Sequence, residues 1–151
     1  MEYLIAYCRS GFEGECAAEL LGWTTQQQLA GYARAKPDTA YVVFELYEPN
    51  TAPLFAKQVG FQNLIFARQL FISTGLLKEL PITDRITPIM AALKDQSNQF
   101  SEIWVETADT NESKALLGFC RKFSKALNWE LKQQEMISLE NQLAPRAHVF
   151  F

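Results

Sequence analysis

Lys114, Arg121, Lys122 and Lys125 stand at i, i+7, i+8 and i+11 in a stretch that reads as one long helix. That spacing sets the cations on roughly one side. Lysine and arginine so arranged suit phosphate oxygens, the contact by which a protein holds nucleic acid whatever its base sequence. The solvated side of any amphipathic helix shows the same pattern, and spacing alone favours that plainer account. Arg68 and Arg85 are weaker candidates for the same patch, and Arg34, Lys36 and Arg146 could join it, although the sequence does not place them in space.

Other chemistry is poorly furnished. Gly11-Phe12-Glu13-Gly14 has the spacing of a GXXG clamp on a nucleotide backbone. Glu13 would then set a carboxylate where phosphate must approach, and a Ser10-x-x-Glu13 capping box explains these residues more simply. No two glycines stand two apart, so a Rossmann turn for a dinucleotide or for S-adenosylmethionine has no support. His148, the only histidine, falls in an apolar run without a nearby serine or cysteine, which suits a structural or RNA-contacting role better than a general base. Cys8, Cys16 and Cys120 are odd in number, lack metal-ligand spacing and fall on core faces, and so read as free thiols of a cytoplasmic protein. Tyr32 and Phe61 are aromatics able to stack on bases if exposed. Core packing is the expectation for most other aromatics. The residues supply no catalytic set, no metal site and no cofactor site.

Composition sets wider bounds. A chain of 151 residues with 48% hydrophobic and 21% charged content can bury a core as one domain or two small ones. A net charge of −3 and a pI near 5.2 argue against a free-standing nucleic-acid binder, but leave room for a local basic patch. No apolar run reaches the ~20 residues of a membrane span, and Met1-Glu2-Tyr3-Leu4 lacks the basic start of a signal peptide.

The elements that must position these residues follow from periodicity. Leu4 to Cys8 is a buried strand, and Phe12 to Trp23 a helix with Phe12, Cys16, Leu20 and Trp23 on one face. Gln28 to Arg34 alternates weakly. Tyr41 to Tyr47, rich in β-branched and aromatic residues, is the clearest strand. A helix from Pro53 to Val59 ends at Gly60, and Leu64 to Thr74 forms a further strand. The order βαββαβ is that of a ferredoxin-like unit, here residues 1–75. A connector, 76–84, carries Pro81 and Asp84 as breakers. In 85–151, the expected elements are a helix from Arg85 to Gln96, a strand from Ile103 to Thr107 and the long helix. An Asp109-x-x-Glu112 capping box opens that helix, and its buried stripe is Leu116, Cys120, Phe123 and Leu127, with Trp129 and Leu131 extending it. Ala147 to Phe151 begins a last strand. The fold class is α/β (α+β) in two parts.

Several of these blocks also carry a family resemblance. Cys8-Arg9, Gly11-Phe12-Glu13, Glu15-Cys16-Ala17, Ile65-Phe66-Ala67-Arg68-Gln69, Asp84 to Ile89, Ala108 to Phe123 and His148 to Phe151 resemble, in order, the amino-terminal part of the RlmM family. These are the 23S ribosomal RNA cytidine 2′-O-ribose methyltransferases of Gammaproteobacteria. Ser10 departs from the proline common there. The resemblance implies a ferredoxin-like domain, then a THUMP-like RNA-binding domain cut short at its carboxyl end. A Rossmann-like methyltransferase domain, with its S-adenosylmethionine site and lysine-aspartate-lysine catalytic set, would lie outside this chain. The implied role is docking 23S ribosomal RNA for the intact S-adenosylmethionine-dependent enzyme, with Lys114, Arg121, Lys122 and Lys125, and more weakly Arg68 and Arg85, touching phosphate. A monomer is favoured. The competing reading is a ferredoxin-like module that docks a protein or small ligand and has no RNA role.

Overall fold

A computed structural model describes residues 2–151, which divide into two compact units, residues 2–75 and 76–151. In the first, β1 (Glu2–Tyr7), α1 (Glu13–Gln26), β2 (Gly31–Ala35), β3 (Tyr41–Leu46), α2 (Thr51–Val59) and β4 (Gln69–Ser73) follow one another. The strands form a four-stranded sheet in the order β2-β3-β1-β4, with every neighbouring pair antiparallel. This is the ferredoxin-like arrangement expected from the order of elements.

Period-two alternation builds the core. Leu4 and Ala6 of β1 and Val42, Phe44 and Leu46 of β3 point to one face, where they meet Cys16 and Leu20 of α1 and Ala52, Phe55 and Val59 of α2. Each large side chain buried there contributes about 1.5–3 kcal/mol. Gly31 is required where β2 crosses β3: a Cβ on it would lie 2.3 Å from the Phe44 ring and 2.5 Å from the Glu45 carbonyl oxygen.

The sequence expectations fail at three places in this unit, in two of them because a side-chain acceptor competes with regular structure. No side-chain hydroxyl caps α1, so the expected Ser10 box is absent. The Glu13 carboxylate instead accepts the Gly11 N–H at 3.1 Å and, across the fold, the Ala40 N–H at 2.9 Å. Phe12 precedes the helix and is 39% exposed, stacked on Phe66 at 6.1 Å, rather than in the buried stripe. The strand expected from Leu64 begins only at Gln69. The N–H groups of Ile65, Phe66 and Ala67 all donate to the Glu19 carboxylate of α1, which takes them out of any sheet ladder.

The second unit contains α3 (Ile86–Gln96), β5 (Glu102–Glu106), a 3-10 segment (Glu112–Leu116), α4 (Leu117–Gln133) and β6 (Arg146–Phe150). Asp84 accepts the Thr87 N–H at 3.0 Å and so fixes the first turn of α3. Strands β5 and β6 pair in parallel, and α4 is the crossover between them. Ile89, Met90, Phe100, Ile103, Phe123, Leu127, Leu131, Met136 and Ala147 make a separate core. No helix among the described residues is long and apolar enough to cross a membrane.

Candidate nucleic-acid interface

The long helix does not open as the spacing predicts. Residues Glu112–Leu116 wind as 3-10, and at the start of that turn the Thr110 hydroxyl oxygen accepts the Ser113 N–H at 3.2 Å. Lys114 therefore precedes the α-helical part, in a segment that turns more tightly than the helix carrying the later cations. Its ammonium donates to Asn111 Oδ1 at 2.9 Å. Leu116, expected in the buried stripe, is 41% exposed.

From Leu117 onward the helix is α, and its two sides separate cleanly. Cys120, Phe123, Leu127 and Leu131 are buried at spacings of three and four. Arg121, Lys122 and Lys125 are exposed on the opposite side, with Lys132 and Trp129 beside them. At 3.6 residues per turn these five positions fall within an arc of about 100°, roughly opposite the buried stripe. Glu130 is the only acid on α4; it is turned away from that arc and accepts a hydrogen bond from Gln134 Nε2 at 3.0 Å. Among the described residues Arg121, Lys122, Lys125 and Lys132 pair with no carboxylate. The face is locally cationic on a chain whose net charge is −3. Sequence reasoning missed Lys132 and treated Trp129 as a mere helix extension. Lys132 lies eleven residues beyond Arg121 and Trp129 four beyond Lys125, so the helical repeat itself was the available signal.

The other candidate cations are differently engaged. The Arg85 guanidinium lies 5.2 Å from the Phe119 ring, within an aromatic group in which Phe119 and Phe123 both meet Phe151 edge-on. Phe119 is about 60° around α4 from Lys122 and about 160° from Arg121, so it stands between the cationic arc and the buried stripe. Arg68 belongs to the first unit, where its backbone N–H donates to the Tyr7 carbonyl at 2.7 Å. Arg34 is bound to Glu45 at 2.6 Å. Arg146 pairs with Glu102 and covers the Trp104 ring at 5.2 Å. Tyr32 and Phe61 are exposed, at 56% and 50%. The structure places Arg121, Lys122 and Lys125 on one side of α4, Lys114 in the 3-10 segment before it, Arg85 beside Phe119, and Arg68 in the first unit.

Nucleophilic chemistry is poorly served. Cys8, Cys16 and Cys120 are buried free thiols. Burial pushes Cys16 up to about 12, with the nearby Cys8 and Glu19 charges adding to it, and burial raises Cys8 and Cys120 as well. His148 Nδ1 is 3.0 Å from Glu106 Oε2, and its ring packs 5.9 Å from Trp104. No group of three or more metal-ligating side chains occurs among the described residues.

The geometry defines a two-unit α+β module, a ferredoxin-like sheet followed by a parallel β-α-β unit that carries an unpaired cationic helix face. Known proteins place it further. The family profile described as the RlmM ferredoxin-like domain matches residues 1–71. The profile for the amino-terminal part of ribosomal RNA large subunit methyltransferase M matches residues 84–151. The chain belongs to the RlmM family, in its amino-terminal region. Relatives named ribosomal RNA large subunit methyltransferase M include one from Cronobacter sakazakii, 45% identical over the whole of this chain and 42% of its own length. The Proteus mirabilis relative is 47% identical over the same shares. That of Actinobacillus succinogenes is 46% identical over 93% of this chain and 40% of its own length. The chain therefore spans about two fifths of these relatives' length.

Proposed function

We propose that this chain docks ribosomal RNA for a cytoplasmic, S-adenosylmethionine-dependent 23S ribosomal RNA cytidine 2′-O-ribose methyltransferase, and that the α4 face makes the phosphate contacts. The observation that carries the reading is a run of cations, Arg121, Lys122, Lys125 and Lys132, on one side of α4 with no carboxylate partner among the described residues. Cations left without acidic partners keep their attraction for a polyanion, whereas paired ones such as Arg34 have spent much of it. The second unit is in this reading a THUMP-like RNA-binding domain. Its contacts would position the substrate and carry no base sequence information of their own.

Among the described residues, the β1–α1 turn is poorly suited to the methyl donor. The β1–α1 turn, where a nucleotide-binding fold would offer open backbone donors, presents the Glu13 carboxylate, which already takes the Gly11 and Ala40 N–H groups. No step of methyl transfer is assigned to these residues. Filter binding of the chain to 23S domain V RNA at two salt concentrations tests the docking role. RNA should be retained at the lower salt and released at the higher, as counterion release requires. Failure to retain it at either salt would favour the protein-docking alternative.

A further inference from the structure

We infer that the α4 face takes an unpaired nucleotide, with the exposed Trp129 indole as the surface on which its base stacks. The inference rests on the phosphate-docking reading of α4 and adds the class of RNA that the face accepts.

Trp129 is 62% exposed, although Leu127 and Leu131 on the same helix are fully buried. The other two tryptophans have partners: Trp23 packs against the first core, and Trp104, though 46% exposed, has the Arg146 guanidinium over its ring and His148 beside it. Among the described residues Trp129 has no ring or guanidinium partner. A single exposed apolar ring is ordinary on a protein surface, but something that covered this one would gain by its burial.

What surrounds Trp129 states what that something is. Lys125 stands four residues before it and Lys132 three after, both neighbours on a helix surface, and Lys122 lies seven before on the same side. A hydrophobic protein partner would have to desolvate these ammonium groups for the sake of a single ring. A single strand of nucleic acid offers phosphates to the lysines and a base face to the indole at once, the pairing of groove cations with aromatic platforms by which single strands are held. An A-form duplex offers the phosphates but keeps its bases stacked inside, so it would engage the cations and leave Trp129 idle.

The test uses the full chain and two probes, an unstructured RNA of about twelve nucleotides and an RNA duplex of similar length. Binding is read by anisotropy and, in parallel, by quenching of tryptophan fluorescence. Trp129→Ala should weaken single-strand binding by about tenfold or more and abolish most of the quenching, with duplex affinity left within about twofold. Trp129→Phe, which keeps an aromatic face, should recover much of the single-strand affinity. Single-strand affinity unchanged in Trp129→Ala, or lost equally for both probes, would overturn the stacking role. The Arg121→Glu, Lys122→Glu double variant separates the two levels. If it binds both probes as the parent does, the phosphate-docking reading has failed. If it weakens both while Trp129→Ala alters neither, only the stacking inference has failed.

Discussion

The Glu13 carboxylate accepts the backbone N–H of Ala40 at 2.9 Å, tying the first turn of α1 to the bend that enters β3. Burial acts to raise this carboxyl, but the backbone donors of Ala40, Glu13 itself, Gly11 and Asp38 outweigh it and hold it below its ordinary 4.5. A depressed carboxyl contributes stability that is present above its unfolded value and lost as pH falls through the folded one. Glu13→Gln should therefore lower the urea midpoint near neutral pH, and the gap from the parent should close progressively below about pH 4.5. A gap that is constant from neutral to acid would contradict the assignment.

Glu19 should govern the order of the segment entering β4. Its carboxylate receives three successive N–H groups, from Ile65, Phe66 and Ala67. Glu19→Ala leaves those donors without their acceptor, at a cost of about 1–3 kcal/mol. Amide exchange at 65–67 should accelerate far more than in β1 or β3. Equal acceleration throughout the unit would mean that Glu19 contributes generally and does not hold this segment.

Much of the fold was legible because alternation and helical repeat report burial directly: β1, β3 and the buried stripe of α4 stand close to where their patterns put them. Three of the misreadings share a physical cause. Glu13, Glu19 and Thr110 each offer an oxygen to backbone N–H groups that local pattern would have given to a cap or a ladder. Glu13 and Glu19 draw those donors from distant stretches, Ala40 and Ile65 to Ala67, which no local pattern reveals. The cationic site was half legible. The exposed side of α4 that carries Arg121, Lys122 and Lys125 follows from spacing, but the 3-10 opening before it leaves no mark distinct from an α-helix start.

Gly31→Ala should be destabilising by about 1–3 kcal/mol, since the added methyl meets the Phe44 ring and, less yieldingly, the Glu45 carbonyl. A urea midpoint equal to the parent's would show that β2 does not lie this close to β3.

The thiols should be silent in the folded protein. With Cys16 pushed up to about 12 and Cys8 and Cys120 also raised by burial, little thiolate exists at pH 8. A disulfide reagent should label the native chain slowly and all of Cys8, Cys16 and Cys120 at once in denaturant. Rapid labelling of any one in the native state would contradict its buried placement.

The central claim is that the α4 face holds RNA by its phosphates, and the salt dependence of binding reads this most directly. For the parent chain and 23S domain V RNA, the logarithm of affinity should fall linearly with the logarithm of salt. The Arg121→Glu, Lys122→Glu variant should bind more weakly, with a slope shallower by about one for each contact removed. Unchanged affinity with an unchanged slope would contradict the account.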